Sequence, residues 1–523
     1  MNYPERPIQH GSMCDKKVHG WESAEVIVHR DMEGPNVITV RITVRNVQVI
    51  RNEGYVKRYE DVTSYRQNSS GKVLDKCANR RRSKTMELMY QILNKENIKE
   101  AVKRVKANKG ASGIDKITVG ELDQYMQENF ARIKEEIWQK KYKPQAVRRV
   151  YIPKANGKQR PLGIPVVVDR VIQQAVAQVF VKIYDKDFSD NSYGFRPNRD
   201  CHGAIARALE YVNAGYEWIV DFDIEKFFDT VNHDKLVSIL RERVKDDKTL
   251  HLIREYLKAG VMENGVKTKT EEGVPQGGPL SPVLANIYLD KLDKELETRN
   301  LRFVRYADDF VIFVKSEMAA NRVMKTVSSW IERKLFLKVS PTKTKVVRPS
   351  NSSFLGFTFW KNGDKWTVRP LKDRREKLIK KLKEVLIRKQ ASAKPLGYTF
   401  TKVNQIVTGW INYFRIGKMK MFMDEFGQWL RHKVRVIIVK QWKKPPTIYK
   451  NLNIINKKMK CGFSDEDIYM FANSHLGLYR KVGLSGYNYL LSPKVLAMPN
   501  MKEGRPGLVD PLEYYLKQKS KLT

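Results

Sequence analysis

The segment RFVRYADDFVIFVK (302–315) places two adjacent carboxylates, Asp308 and Asp309, between runs of Val, Phe and Ile. Such flanks are typical of buried β-strands. Neighbouring strand side chains point to opposite faces, but at a tight hairpin turn both carboxylates can reach one point. A buried anion is costly to desolvate, and Mg²⁺, which prefers oxygen ligands, would offset that cost. The segment therefore predicts a hairpin tip that binds metal, with an ordinary acidic turn as the alternative.

The overall composition points to a polyanionic partner. The chain has 523 residues, which favours several domains, and 41% of them are hydrophobic. Its formal charge is +40 and its pI is near 9.9, and cations that neutralise phosphates gain affinity by releasing counterions. A membrane surface is the weaker alternative, because the sequence has no apolar run of about 18 residues and no basic amphipathic helix standing alone at a terminus. We therefore expect no membrane partner.

Cysteine usage and the N-terminal sequence indicate a reducing compartment. Cys14, Cys77, Cys201 and Cys461 are far apart and form neither a metal-type pair nor a disulfide framework. The first residues, MNYPERPIQHGSMCDKK, lack the apolar stretch of a signal peptide. We expect a cytoplasmic protein, in the bacterial cytoplasm or nucleoid.

Two further segments add to the acidic pair. In VDFDIEKFFDTVNH (220–233), Asp223 follows an apolar strand and is a third candidate ligand, although it could instead cap a helix. The segment EEGVPQGGPLSPVLANIYLDKLD (271–293) has a Pro-Gln-Gly-Gly turn whose glycines let the backbone approach a flat ligand, unless it is a plain loop. Three carboxylates that carry two metal ions roughly 3.5–4 Å apart can clamp the attacking and leaving oxygens of nucleotidyl transfer.

Periodicity predicts several surrounding elements. Residues 37–50 alternate apolar and polar side chains and predict a small hairpin. Helical patterns span residues 85–109 and 119–140. The stretch RRVYIPKANGKQRPLGIP (148–165) predicts a hairpin with an Asn-Gly turn at Asn156–Gly157.

A strongly basic region follows residue 360. Residues 361–460 hold 27 Lys and Arg against 6 Asp and Glu, a net charge of +21. Aromatic side chains are interleaved with these cations: Trp366, Trp410, Tyr413, Phe414, Trp429 and Trp442. This combination is typical of a nucleic-acid groove. A solvated helical face with ordinary core aromatics is the alternative.

Taken together, the motifs resemble those of a group II intron-encoded reverse transcriptase/maturase, over about residues 85–450. The motifs that carry the resemblance occur in the family's order: NIKEAVKRVKANKGASGID, YIPKANGKQRPLGIPVVVDRVIQQAV, SYGFRPNRDCHGAI, DFDIEKFFDTVNH, GVPQGGPLSPVLANIYLD, RYADDFVIF, LKVSPTKTKV, FLGFTF and GWINYF. Nine motifs in one order make a chance agreement negligible.

The resemblance implies an α+β fold of the right-hand polymerase type, with fingers, a ferredoxin-like palm built on an antiparallel sheet, and a helical thumb. We expect an N-terminal extension of unknown role at 1–82 and fingers and palm at 83–360, with the core at 134–360. A helical thumb, or maturase-specific domain, is expected at 361–455, and a DNA-binding-like or merely helical extension at 456–523. Family members often end in an HNH endonuclease with paired cysteines; only Cys461 lies beyond residue 360 here, so we expect no such endonuclease.

The resemblance also implies roles for the acidic residues. Asp223, Asp308 and Asp309 would hold two Mg²⁺ ions, with the carbonyl of Ile224 as a further oxygen ligand. Lys343, in SPTKTKV, would be the general acid for pyrophosphate departure. Lys345 is a rival for that role, and a solvated charge is a further alternative.

Other matching positions would contact the deoxynucleoside triphosphate. Lys154 and Arg160, which flank the predicted Asn-Gly turn, would fold over the triphosphate, or would be ordinary surface cations. Phe228 would pack under the sugar and reject a 2′-hydroxyl. Gln276 and Gly277 would contact the nascent base pair or sugar.

Three neighbours of the site are given structural roles. Phe227 is the better candidate for a core residue than Phe228. We interpret His233 and Tyr306 as mainly structural, with Tyr306 close to the primer end.

The predicted function is an RNA-directed DNA polymerase encoded by a group II intron. It would bind intron RNA to promote splicing, and a DNA primer or target DNA during target-primed retrohoming. The alternatives are an RNA-binding maturase with a vestigial polymerase, and a reverse transcriptase of phage defence or diversity generation. The sequence gives no prediction of the oligomeric state.

Overall fold

The computed structural model describes residues 23–32, 38–52, 55–67, 73–78, 82–84, 88–153, 159–500 and 504–521. The chain forms two compact units. The first comprises Met1–Val179, Val237–Glu271 and Gln276–Leu280, and the second Phe180–Leu236, Glu272–Pro275 and Ser281–Thr523.

Strands and helices are numbered in chain order within the described residues. The strands are β1 (Ser23–Met32), β2 (Ile38–Asn52), β3 (Tyr55–Gln67), β4 (Val73–Ala78), β5 (Arg82–Lys84), β6 (Val147–Pro153), β7 (Gln159–Ile164), β8 (Trp218–Phe222), β9 (Val261–Glu263), β10 (Val266–Thr268), β11 (Arg302–Tyr306), β12 (Asp309–Val314), β13 (Lys345–Val347), β14 (Phe357–Asn362) and β15 (Lys365–Pro370). The helices are α1 (Leu88–Ile92), α2 (Lys95–Ala107), α3 (Leu122–Trp138), α4 (Val167–Tyr184), α5 (Cys201–Asn213), α6 (Phe227–Thr230), α7 (His233–Arg241), α8 (Asp247–Lys258), α9 (Ser281–Thr298), α10 (Glu317–Leu335), α11 (Lys372–Val385), α12 (Arg388–Ala391), α13 (Leu396–Phe414), α14 (Lys420–Trp442), α15 (Pro445–Met459), α16 (Asp465–Asn473), α17 (Leu478–Lys481), α18 (Ser485–Leu490), α19 (Pro493–Leu496) and α20 (Pro511–Lys519).

The N-terminal strands form one antiparallel sheet in the order β1-β2-β3-β4, with β5 paired to β3. Strands β2 and β3 pair from Val40 opposite Gln67 to Asn52 opposite Tyr55. The alternation in residues 37–50 thus predicted a hairpin correctly, but it belongs to a larger sheet. The role of residues 1–82 stays unassigned.

The rest of the first unit combines a mixed sheet with helices. The sheet has the order β10-β9-β6-β7, in which β6 and β7 form the predicted antiparallel hairpin and β9 runs parallel to β6. The predicted turn residues Asn156–Gly157 lie outside the described residues. Helix α2 begins after Asn94, whose side chain accepts a hydrogen bond from the Glu96 amide at 2.8 Å. Two separate helices, α1 and α2, replace the single helix predicted over 85–109, and α3 occupies the second predicted span, 119–140.

A buried carboxylate joins three elements of the first unit. Asp169, in the first turn of α4, is 1% exposed. It accepts hydrogen bonds from the Tyr142 hydroxyl at 2.6 Å, the Gln145 amide at 3.0 Å and the Tyr256 hydroxyl at 3.3 Å. Burial raises the pKa of the Asp169 carboxyl to about 6, although these donors oppose the shift.

The second unit is built around a sheet that we call the palm sheet, consisting of β13-β8-β12-β11 in that spatial order. Its three strand pairs are antiparallel. Along the chain these strands alternate with helices as β8–helices–β11–β12–α10–β13, which is the βαββαβ arrangement of a ferredoxin-like fold. Helix α10 begins after its cap residue Ser316. It buries Val323, Val327 and Ile331 on one face, because residues four positions apart lie on the same side of a helix.

Helices dominate the second unit after the β14–β15 hairpin. Apolar residues at helical spacing on α13 are fully buried: Phe400, Val403, Val407 and Ile411. They belong to one hydrophobic core with buried residues of the palm sheet and of α14. The last helix, α20, packs against α13 and α14 and is capped by Asp510, which also pairs with Arg431 at 2.6 Å. Among the helices described in this structure, none is long and apolar enough to cross a membrane.

Candidate active site

Strand register brings the predicted acidic residues to one end of the palm sheet. Strands β11 and β12 form a hairpin in which Tyr306 lies opposite Asp309. Ala307 and Asp308 make the turn, with Ala307 at φ 59°. Phe310 lies opposite Phe222 on β8, so the next step of the same register sets Asp309 beside Asp223. The predicted hairpin tip is therefore present, and Asp223 is on the neighbouring strand, as expected.

A fully buried ion pair stabilises the β11–β12 hairpin. The guanidinium of Arg305 contacts both carboxylate oxygens of Asp293, at 2.7 and 2.5 Å, and both side chains are 0% exposed. It also donates to the Asn286 side chain and to the Ala307 carbonyl, each at 3.0 Å. The turn that carries Asp308 is thus anchored by a charge in the core.

Sequence reasoning missed this anchor. A signal was present, because Arg305 follows the apolar Phe303 and Val304 in a strand predicted to be buried, where a cation needs a partner. Asn286 and Asp293 are seven positions apart and lie on one face of α9.

The motif SYGF (192–195) lies directly against the hairpin. The Tyr193 amide donates to the Arg305 carbonyl at 2.9 Å, and the Asn286 side chain donates to the Gly194 carbonyl at 2.8 Å. A Cβ on Gly194 would lie 2.3 Å from the amide nitrogen of Ala307, so only glycine permits this approach. This contact explains why the motif accompanies the acidic turn.

Lys343 lies on Asp223. Its Nζ donates to both carboxylate oxygens of Asp223, at 2.9 and 3.1 Å. The loop before β13 is held there, because the Ser340 amide donates to the Asp223 carbonyl at 2.8 Å. Of the two lysines considered for a general acid, Lys343 is therefore the one that contacts a predicted metal ligand.

Lys345 has a different partner. It lies opposite Asp221 in the β13–β8 register, and its Nζ is 4.0 Å from the Asp221 carboxylate. Burial raises the pKa of the Asp221 carboxyl, although a hydrogen bond from Ser352 opposes the shift. This geometry gives Lys345 a neutralising role within the sheet.

The donor chemistry fits a divalent cation, whereas the side-chain positions do not form a closed ligand set. Carboxylate oxygens are the ligands that Mg²⁺ prefers. In this structure the ammonium group of Lys343 forms an ion pair with the Asp223 carboxylate at 2.9 Å. In the described part of the chain, no group of three His, Cys, Asp or Glu side chains is positioned to hold a metal ion. Ile224 is 5% exposed in a bridge to Val339. The two-metal site formed by Asp223, Ile224, Asp308 and Asp309 stays a prediction.

The two phenylalanines after Asp223 differ in environment. Phe227 is 1% exposed and contacts Tyr288, with ring centres 6.4 Å apart, so it is the core residue, as predicted. Phe228 is half-buried in α6, and its carbonyl accepts a hydrogen bond from the Val274 amide at 2.6 Å. The His233 ring bonds the Gly273 carbonyl at 2.7 Å, which fits its structural interpretation. The sugar-contacting role of Phe228 stays a prediction.

The residues predicted to contact the nucleotide from the fingers belong to the first unit. Lys154 lies outside the described residues, and Arg160 is exposed near the start of β7. The Gln276 carbonyl accepts a hydrogen bond from the Gly163 amide at 2.7 Å. Gly277 has φ 119°, and a Cβ there would lie 2.3 Å from the Gly163 carbonyl oxygen. The Pro-Gln-Gly-Gly turn therefore needs its glycine to pack on β7, while the nucleotide contacts stay predictions.

Two families match the chain in consecutive segments. Residues 152–359 match the family described as reverse transcriptase (RNA-dependent DNA polymerase), and residues 375–454 match the family described as group II intron, maturase-specific domain. The first segment contains the palm sheet and its acidic end. The two matches together describe a reverse transcriptase domain followed by a maturase-specific domain.

Curated relatives agree with these matches. Protein YkfC of Escherichia coli (strain K12) is 33% identical, over 50% of this chain and 78% of that protein. Group II intron-encoded protein LtrA of Lactococcus lactis subsp. cremoris is 34% identical, over 49% of this chain and 54% of LtrA. The Putative COX1/OXI3 intron 2 protein of Saccharomyces cerevisiae is 34% identical, over 47% of this chain and 28% of that protein. The matched region thus spans about half the length of LtrA and less of the yeast protein.

The chain belongs to the group II intron-encoded reverse transcriptase/maturase family. The predicted family and the right-hand polymerase fold are confirmed, and the matches support the predicted RNA-directed DNA polymerase that aids splicing. Reverse transcriptases as a family use divalent metal ions and deoxynucleoside triphosphates. The maturase match implies intron RNA as a class of partner.

Proposed function

We propose that this chain is an RNA-directed DNA polymerase, encoded by a group II intron, that extends a DNA primer on an RNA template. The observation that supports the proposal is the register of the palm sheet: Phe310 pairs with Phe222, so Asp309 and Asp223 are the next residues at the same end of the sheet, and Asp308 lies in the adjoining turn. Asp223 and Asp308 are half-buried and Asp309 is exposed, and three like charges at one end of a sheet repel one another. Divalent cations would offset that repulsion. Nucleotidyl transfer supplies such cations with its substrate.

In this proposal Asp223, Asp308 and Asp309 hold two Mg²⁺ ions, and the carbonyl of Ile224 adds an oxygen ligand. When bound, the two ions lower the pKa of the primer 3′-hydroxyl and neutralise the triphosphate. Lys343 starts from its contact with Asp223 and donates a proton to the departing pyrophosphate. Its side chain is 66% exposed in that contact.

The remaining predicted residues select and hold the nucleotide. Lys154 and Arg160 bind the triphosphate, and Arg160 offers an exposed planar guanidinium for two parallel hydrogen bonds. Phe228 presents its ring to the sugar and excludes a 2′-hydroxyl. Gln276 and Gly277 hold the nascent base pair or sugar.

The basic helical region serves RNA binding and splicing. Its net charge of +21 over residues 361–460 is distributed along the segment rather than concentrated in one motif. Such a distribution suits recognition of A-form RNA by shape and backbone. We propose intron RNA as the template and ribonucleoprotein partner, DNA as the primer and target, and the cytoplasm as the location.

A maturase with a vestigial polymerase is the second candidate. The maturase-specific match alone is compatible with it. However, a pure RNA-binding protein has no need for three carboxylates at one sheet end, nor for a buried Arg305–Asp293 pair that holds their turn. The complete acidic set therefore favours the active polymerase.

Primer extension tests the proposal directly. With an RNA template, a DNA primer and Mg²⁺, Asp308→Asn should lower the rate by about a thousandfold, because it removes a metal-binding charge. The matched control is Asp364→Asn, which removes an exposed carboxylate from the turn between β14 and β15. Intron RNA binding should survive in both variants. Extension by Asp308→Asn at the wild-type rate would show that the metal assignment is wrong.

A further inference from the structure

A cleft in the second unit is formed by the β14–β15 hairpin, the start of α14 and the last described helix, α20. Its volume is about 530 Å³, within the usual range for binding pockets. Strand β15 falls between the two family matches, and α20 lies after both of them. Arg375 and the lining residues from Lys418 to Glu425 lie within the maturase-specific match, so the cleft, which we call the α20 cleft, is formed partly by that domain and partly by β15 and α20.

The α20 cleft is strongly basic. Its lining contains five cationic side chains and one carboxylate: Arg369, Arg375, Lys418, Lys420, Lys519 and Glu425. Like charges this close repel one another, and an anionic ligand removes that cost. The Nε of Arg375 is buried and has no hydrogen-bond partner. The charges of the cleft thus fit a polyanion.

Aromatic rings line the same cleft. Trp360 is 38% exposed on β14, and the guanidinium of Arg369 lies 5.7 Å from its ring centre. The guanidinium of Arg375 lies 5.4 Å from the ring centre of Phe422. An exposed indole beside cations is the arrangement on which an unstacked base can stack while its phosphate is neutralised.

Helix α20 holds this arrangement together. The hydroxyl of Tyr515 donates to the Gly417 carbonyl at 2.8 Å and accepts hydrogen bonds from the Met419 amide at 3.4 Å and from Lys519 Nζ at 3.1 Å. The Lys418 amide in turn donates to the Val368 carbonyl on β15 at 2.8 Å. The backbone that carries Lys418 is therefore held between α20 and the hairpin.

We propose that the α20 cleft binds a short single-stranded segment of nucleic acid, with a base on Trp360 and phosphates on the surrounding cations. A duplex keeps its base faces stacked and offers none to the indole. An acidic polypeptide would neutralise the cations, but its carboxylates would provide no ring to stack on the indole of Trp360. This proposal depends on the proposed function in one respect: that function makes nucleic acid the class of partner.

The test measures binding of the full-length chain to a labelled octanucleotide, as RNA and as DNA, in EDTA so that polymerisation is absent. Trp360→Ala should raise Kd about tenfold, because one stacked base is lost. Trp360→Phe keeps an aromatic face and should stay within about twofold. This conservative variant separates stacking from a folding defect.

A matched pair on α20 tests the charges. Lys519→Gln removes a cation inside the cleft, whereas Lys517→Gln removes an exposed cation of the same helix that does not line it. Lys519→Gln should reduce the slope of log K against log salt by about 0.7, the value for one phosphate contact of a single strand. Lys517→Gln should keep the wild-type slope.

Two outcomes would overturn the proposal. One is that Trp360→Ala and Lys519→Gln bind the octanucleotide as Lys517→Gln does. The other is that a polyglutamate peptide of equal charge displaces the octanucleotide as well as an unlabelled strand does, which would make the occupant an acidic polypeptide. Because the assay needs no polymerisation, failure of primer extension with binding intact would count against the proposed function alone.

Discussion

At the scale of single residues, Lys343 and Lys345 are two positions apart yet have different partners. Lys343 donates to both oxygens of Asp223, while Lys345 lies opposite the buried Asp221. A proton donor in nucleotidyl transfer must reach the acidic end of the sheet. The contact of Lys343 with Asp223 therefore makes it the better candidate for the general acid.

Replacing Lys343 tests this choice. Lys343→Met should lower the single-turnover rate of primer extension by about a hundredfold, the typical contribution of a general acid. The ion pair is largely exposed, so the free energy of unfolding should change by less than about 1 kcal/mol. Lys345→Met is the matched control and should keep the wild-type rate. A larger loss in Lys345→Met would transfer the role to that residue.

The Arg305–Asp293 pair supports the acidic turn through the Ala307 carbonyl. Asp293→Asn leaves an uncompensated guanidinium in the core and should cost about 3–5 kcal/mol in the free energy of unfolding. The double variant Arg305→Met, Asp293→Leu removes both charges and should be more stable than Asp293→Asn, measured by urea unfolding. Equal losses in both variants would show that packing, rather than the unpaired charge, dominates.

At the scale of elements, Asp169 links α4 to the segment before β6 and to α8. Its pKa is about 6 in the folded protein, above the ordinary value near 3.9. The folded state therefore keeps a proton that the unfolded state loses between about pH 4 and pH 6. Stability from this group is present below pH 4 and falls as the pH rises through 6.

Comparison with Asp169→Asn isolates this group, because the variant cannot titrate. From pH 4 to pH 7 the stability of the wild-type protein should fall relative to Asp169→Asn by about 2 kcal/mol, most of the free energy that a shift of about two pKa units represents. Urea unfolding of both proteins at unit pH intervals measures it. Parallel profiles for the two proteins would mean that the carboxyl of Asp169 titrates alike in both states.

The sequence predicted an element well where the apolar pattern and the turn residues that define it lie in one short segment. The hairpin tip at Asp308 and the β6–β7 pair followed from apolar runs around turn residues, and Phe227 was correctly placed in the core. The Arg305–Asp293 pair was missed because it joins a strand to a helix and leaves no local pattern. Burial of Asp169 escaped notice for the same reason, since its partners lie on separate elements.

At the scale of the whole molecule, the sequence motifs identified the family, because nine of them in one order specify more than any single site. They could not fix the positions of side chains around the acidic residues. The positions of these side chains depend on their rotamers and on the contact between Asp223 and Lys343, which lies in a loop 120 positions later in the chain.

The charge of the whole chain leads to a final prediction, on the salt dependence of RNA binding. With a net charge of +40, contacts to phosphates should be numerous, and six to ten of them would weaken intron RNA binding by about 10³–10⁵ between 50 and 200 mM salt. Primer extension from a preformed complex should change little over the same range, because its chemistry occurs between groups already in contact. Filter binding and single-turnover extension in parallel salt series measure the two effects. A shallow binding slope would mean that most of the Lys and Arg side chains face solvent without touching RNA, and the basic region would then be an ordinary solvated surface.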